Sequence, residues 1–183
     1  MRARLLMMPL MGVVLLRAAI IVAGEIHVPG DHGTIAEAMA LAQTGDHVIV
    51  ASGTYHESGL DYLGKGITVR STDPTDPEVV AATVVDGDSA ATIFRAERGE
   101  GPDAVLRGIT VVRGRGGWGG GMVCVDSSPL IQGCVFRNNI STEDALGGGP
   151  YTVLEASPRS WRVPSNRTSP MMGGRSFSSV PPP

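Results

Sequence analysis

The sequence predicts an all-β chain of stacked coils, opened by one α-helix that covers an end of the stack. Three observations carry this. Gly119 to Asn139 reads GGGMVCVDSSPLIQGCVFRNN, and its short apolar runs bury their faces only by stacking on similar units. Further short β runs recur between Gly, Ser-Pro and Asn turns. The only helical signature, Thr34-Ile35-Ala36-Glu37, stands ahead of the strands that follow. That order disfavours βαβ alternation and suits a helix that blocks strand-edge pairing.

In chain order, residues 1–24 read as an export signal. Arg2 and Arg4 supply the positive start, Leu5 to Leu16 the apolar stretch, and cleavage is placed after Gly24. Leu5 to Ala23 is short for a membrane span and is interrupted by Arg17. Residues 25–149 form the coil domain. Glu25 to Val28 is a strand and Pro29 to Gly33 a turn. Thr34 and Glu37 then form a capping box for a helix running to Ala42, with Ile35, Ala38, Met39 and Ala42 on one face. Strands follow at His47 to Ala51, after Gly53-Thr54-Tyr55, and at Ile67 to Arg70, Thr83 to Val85, Thr92 to Phe94 and Val105 to Val112. The last coil has one strand around Met122 to Val125 and another through Leu130, Ile131, Cys134 and Phe136, with Phe136 a stacked core side chain.

From Pro150 the composition turns to Pro, Ser and Arg, so residues 150–183 are a disordered or out-of-frame tail. Moving the reading window back one base restores the repeat. From the first Cys, the visible unit has Pro at plus 5, Cys at plus 10, Phe at plus 12 and Asn at plus 15. The shifted codons ending within those for Val153, Pro158, Val163, Ser165 and Thr168 permit the same residues at the same offsets. A one-base loss near the codons for Gly149 and Pro150 is therefore expected, and the chain is read as truncated.

The opening IHVPGDHGTIAEAMALAQTGDHVIVASGTYHE, the segments GKGITVRS, TVVDG and VLRGITVVRG, and the GGGMVC…SSPLIQGCVFRNN unit resemble the pectin lyase-like superfamily. More narrowly, they look like its secreted, uncharacterised β-helix repeat members. The resemblance covers about Glu25 to Gly149. It implies a right-handed parallel β-helix (solenoid) with an N-terminal capping α-helix. It does not imply one function, because the fold hosts lyases, hydrolases, esterases, adhesins and passive surface proteins.

A net charge of -3, with Lys65 the only lysine, argues against a nucleic-acid partner. Cys124 and Cys134 recur at repeat positions and are expected as free, buried thiols. Gly114 to Gly119 matches GxGxxG, but Ser127, Ser128 and Pro129 follow with no helical period, so the glycines are turns and no nucleotide is expected. Asp86 and Asp88 could give oxygens to calcium, yet that ion needs six to eight. They read as a solvated turn, as do Asp73 and Asp76, each before a proline. Asp46, Glu57, Asp61, Asp86 and Asp103 are available for acid–base hydrolysis, but no motif pairs them. His27, His32, His47 and His56 read as loop or strand-edge residues. The sequons at Asn139 and Asn166 carry little weight.

No catalytic residue, metal or cofactor is assigned. The expected function is a secreted, periplasmic or cell-surface module that binds polysaccharide or surface glycan, with no membrane contact after signal cleavage. The alternative is an N-terminal fragment of a polysaccharide-active enzyme, of the pectate lyase, glycoside hydrolase or pectin esterase kind.

Overall fold

The computed structural model describes residues 23–142 and the strand 161–162. Residues 1–22 of the expected export signal and the rest of the tail lie outside the described residues, as does the sequon at Asn166. The order is β1 (Glu25–Val28), α1 (Ile35–Leu41), β2 (His47–Val50), β3 (Gly53–His56), β4 (Leu60–Asp61), β5 (Thr68–Ser71) and α2 (Pro77–Ala82). Then come β6 (Thr83–Asp86), β7 (Phe94–Ala96), β8 (Val105–Arg107), β9 (Thr110–Val112), β10 (Arg115–Gly116) and β11 (Met122–Cys124). The described chain closes with β12 (Leu130–Gln132), β13 (Val135–Arg137), β14 (Ile140–Ser141) and β15 (Trp161–Arg162).

The chain is β-rich, and its strands fall into parallel sheets visited in rotation. The first sheet runs β1-β2-β5-β8-β12-β15, the second β3-β6-β9-β13 and the third β4-β7-β11, while β10 and β14 form a short pair. Every described pairing is parallel except that of β12 with β15. This order is compatible with a β-helix.

Register puts like side chains in rows between the sheets. Val48, Val69, Leu106 and Ile131 align on the first sheet, Tyr55, Val85, Val111 and Phe136 on the second, and Leu60, Phe94 and Met122 on the third. All except the partly buried Tyr55 are buried, and together with it they form one apolar core. Aligned side chains on neighbouring strands stabilise one another, so each added set of strands completes the burial of the last.

Helix α1 presents Ile35, Ala38, Met39 and Ala42 to that core, as its spacing predicts. Thr34 Oγ1 accepts from the Glu37 amide at 3.1 Å. The amides of Ile35 and Ala36 go instead to the Glu57 carboxylate, at 2.8 and 2.9 Å, a partner that local sequence does not reveal. Lys65 Nζ donates to the carbonyls of Met39 and Ala40 at the other end of the helix, where a cation complements the helix dipole. Glu57→Ala is expected to cost about 1 kcal/mol, the usual worth of a cap. Urea denaturation checks this, and an unchanged midpoint would mean that water replaces the carboxylate.

Four expectations are corrected. A second helix, α2, interrupts the run of strands: Asp76 is its N-cap, accepting from the Glu78 amide at 2.8 Å, and Pro77 opens it. Asp76 is therefore a helix cap rather than a turn residue. Asp73 does lie in a turn, accepting from the Thr75 amide and hydroxyl. Val105 to Val112 is two strands on different sheets, bent at Gly108 with φ +63°. Leu130 to Phe136 divides likewise at Gly133 with φ +59°. A Cβ on Gly108 would sit 2.4 Å from the Pro74 Cα, so this corner accepts no side chain.

Cys124 and Cys134 are free and buried, as expected. Cys124 aligns with Ala96 on β7. Burial pushes the Cys124 thiol up to about 12 and the Cys134 thiol up to about 11, so both stay protonated and inert at neutral pH.

Candidate functional site

The outward side of the second sheet brings together a group of titratable side chains from the ends of three neighbouring strands. His56 ends β3 and aligns with Asp86, which ends β6, and Asp86 aligns with Val112 at the end of β9. Arg113 follows β9 directly and Asp88 lies two residues past β6. The chain therefore delivers His56, Asp86, Asp88 and Arg113 to one corner because the ends of three neighbouring parallel strands lie there in register.

Arg113 holds Asp86 in a two-pronged ion pair, with Nε 2.7 and 2.9 Å from its two carboxylate oxygens and Nη2 also donating to Oδ2. Nη2 lies 2.8 Å from Asp88 Oδ1 as well. His56 Nδ1 is 2.9 Å from Asp88 Oδ2, and the Asp88 amide donates to Asp86 Oδ1 at 3.1 Å. The Asp86 side chain is buried, while those of Arg113, Asp88 and His56 are half exposed. Hydrogen bonding from the Arg113 guanidinium, against the opposing effect of burial, holds the Asp86 carboxyl below the usual carboxylate range. The same bond raises Arg113 above its ordinary value. Arg113 and Asp88 adopt positive φ of +53° and +48°, a conformation that costs a non-glycine residue about 1–3 kcal/mol. The ion pairs across the coils hold them there.

The sequence named Asp86 and Asp88 as a pair, named His56 apart from them and missed Arg113. Asp86 is corrected from a solvated turn to a buried member of an ion pair, since the strand register carries it under the guanidinium. Asp88 and His56 are exposed, as expected. An arginine about one coil after an aspartate was the available signal for Arg113, but its meaning depends on coil length, which varies.

The remaining candidates serve different parts of the fold. Asp46 accepts from the amides of Gly24 and Gln43 at 2.8 and 2.7 Å. Those two amides lower its pKa. Glu57 caps α1. Asp61 accepts from the Leu63 amide at 2.7 Å, and Asp103 packs beside Gly66. His27 lies 3.9 Å from Glu25 in the first sheet, His47 opens β2, and His32 sits in the turn before α1. Arg115-Gly116 of the glycine-rich segment is a strand, and β11, not a helix, follows it. Trp118 stands exposed in that connection.

Nδ1 of His56 and carboxylate oxygens of Asp86 and Asp88 all lie within 4.8 Å of one another, a spacing that suits a cation. Two carboxylates and an imidazole are too few and too mixed a set for calcium, which takes six to eight oxygens. The guanidinium of Arg113 already lies on both carboxylates, so a divalent ion would have to displace it. The arrangement can donate and accept hydrogen bonds to hydroxyls or carboxylates at an exposed face. No described helix is long and apolar enough to cross a membrane. Comparison with family models, curated proteins and solved structures finds no match to this chain.

Proposed function

We propose that the chain is part of a right-handed parallel β-helix of the pectin lyase-like kind, exported to the cell surface or beyond it, whose outer face binds glycan. The rotation of the chain through three parallel sheets supports the architecture. The observation that carries the binding reading is the convergence of His56, Asp88 and Arg113, each half exposed, on one corner of successive coils. Arg113 uses Nε and Nη2 on the two aspartates, and Nη1 adds two N–H donors for single hydrogen bonds to ligand oxygens. His56 and Asp88 offer partners for sugar hydroxyls, and Trp118, five residues past Arg113 along the chain, is an exposed indole. An aromatic face with a polar edge suits such a ligand.

Titration with oligogalacturonate, followed by the ring signals of His56 and Trp118, tests the reading. Saturable shifts are expected, with affinity about tenfold weaker in Arg113→Ala, equivalent to about 1.4 kcal/mol. His27→Ala, on the first sheet, should leave affinity unchanged. An absence of shifts with both acidic and neutral oligosaccharides would reject glycan binding at this corner.

The exposed His56–Asp88 hydrogen bond favours one second reading, in which the cluster moves protons in a polysaccharide-active enzyme. Release of shortened or unsaturated products from polyuronate, with or without calcium, would select that reading.

A further inference from the structure

We infer that the outer edge of the last coil is the docking face for one more coil, encoded by the same gene one base back from the codons following Gly149. The reading is independent of glycan binding. It rests on where the structure places the residues that recur in the shifted frame. Of the visible unit, Cys124, Cys134 and Phe136 are all buried. Asn139 turns its side chain onto the preceding coil, accepting from the Gly114 amide at 2.8 Å and donating to the Val111 carbonyl at 3.0 Å.

These are the positions that hold one coil against its neighbour, and the shifted codons permit the same residue at every one of them. The buried Met122 is answered by a shifted codon for Ile, Leu or Val, which keeps an apolar side chain there, while the outward Val135 and Arg137 are unmatched. Codons ending within those for Pro164 and Asn166 permit neither valine nor arginine at the corresponding places.

Coil length agrees. Successive inward partners on the second sheet are Tyr55, Val85, Val111 and Phe136, separated by 30, 26 and 25 residues. The shifted codon that permits phenylalanine ends within that for Ser165, 29 residues after Phe136. A further observation concerns polarity. The pairing of β12 with β15 is antiparallel, and it is the one antiparallel pairing among the described residues. It lies where the given frame departs from the repeat. The shifted coil would instead add parallel strands to β12 and β13 and set its aromatic ring on Phe136.

Two measurements test this. Sequencing the gene across the codons for Gly149 and Pro150 is combined with mass spectrometry of the protein from its native source. A peptide in the shifted frame, containing the Asp-Gly pair forced by the codons of Met171 to Gly173, is the expected result. The peptide Thr168–Arg175 in the frame given would overturn it. With the frame restored, the amides of Val135 to Arg137 should exchange at least about tenfold more slowly than in the chain as given. Equal exchange in the two proteins would overturn the docking even if the frame is shifted.

Discussion

Phe94→Ala is expected to lower the free energy of unfolding by about 3–5 kcal/mol, the range for emptying an aromatic site that cannot collapse. Phe94 is fully buried, and register sets it between Leu60 on β4 and Met122 on β11. Both neighbours are held by parallel ladders, and Ile93 beside it is buried as well. The walls of the cavity therefore belong to three paired strands that would have to move together to close it. Phe94→Leu keeps most of the volume and should cost less than about 1.5 kcal/mol. Phe136→Ala should fall in or near the same 3–5 kcal/mol range, since that ring is also buried and aligned with Val111. Equilibrium urea unfolding measures all three. A loss below about 1 kcal/mol for Phe94→Ala would mean that the third sheet does not share the common core.

Glu100→Gln is expected to cost about 2–3 kcal/mol at neutral pH, because it replaces a buried acceptor by a group that is half donor. Glu100 is 3% exposed. One carboxylate oxygen accepts from the Gly64 amide and the other from the Arg98 amide, each at 2.8 Å, and the Ser127 hydroxyl lies 2.8 Å from the second oxygen. One side chain thereby fastens three loops, those before β5, β8 and β12. Burial alone would raise its pKa, but the Arg98 and Gly64 amides and the Ser127 hydroxyl outweigh it and hold the carboxyl below its ordinary value.

A carboxyl whose folded pKa is lowered stabilises the fold above its unfolded pKa. That stability is lost as pH falls through the folded value. Asp86 shifts in the same direction through Arg113. Wild-type stability should therefore hold above about pH 4–5 and decline below it, with a shallower decline in Glu100→Gln. Thermal midpoints between about pH 3 and pH 7 decide the matter. Parallel curves for the two proteins would show that Glu100 carries none of the acid sensitivity.

Helix α1, its buried face and the thiols were legible because their signals are local: an N-cap, a 3.6-residue period and a cysteine at a repeat position. Helix α2 was also signalled, by Asp76 before Pro77, but six residues are too few for a helical period to show. The bends at Gly108 and Gly133 were harder. An apolar run looks the same whether it continues along one sheet or turns into the next, and the glycine marks only permission to turn.

Ser71 shows the same limit from another side. Its hydroxyl is buried without a partner among the described residues. Its alignment with Val50 on β2 places a polar residue in a row that the sequence offers no means to assign.

By itself the sequence determined the β-rich class, the leading helix, the buried cysteines and the spacing of the repeat, since each depends on residues close together along the chain. Only the tertiary structure decided that His56, Asp86, Asp88 and Arg113 share a corner, that Glu57 caps α1 and that Glu100 ties three loops. The long-range contacts among them join residues 21 to 36 positions apart, across connections of unequal length. No local pattern specifies such a separation; parallel register does, by bringing the ends of successive strands to the same place.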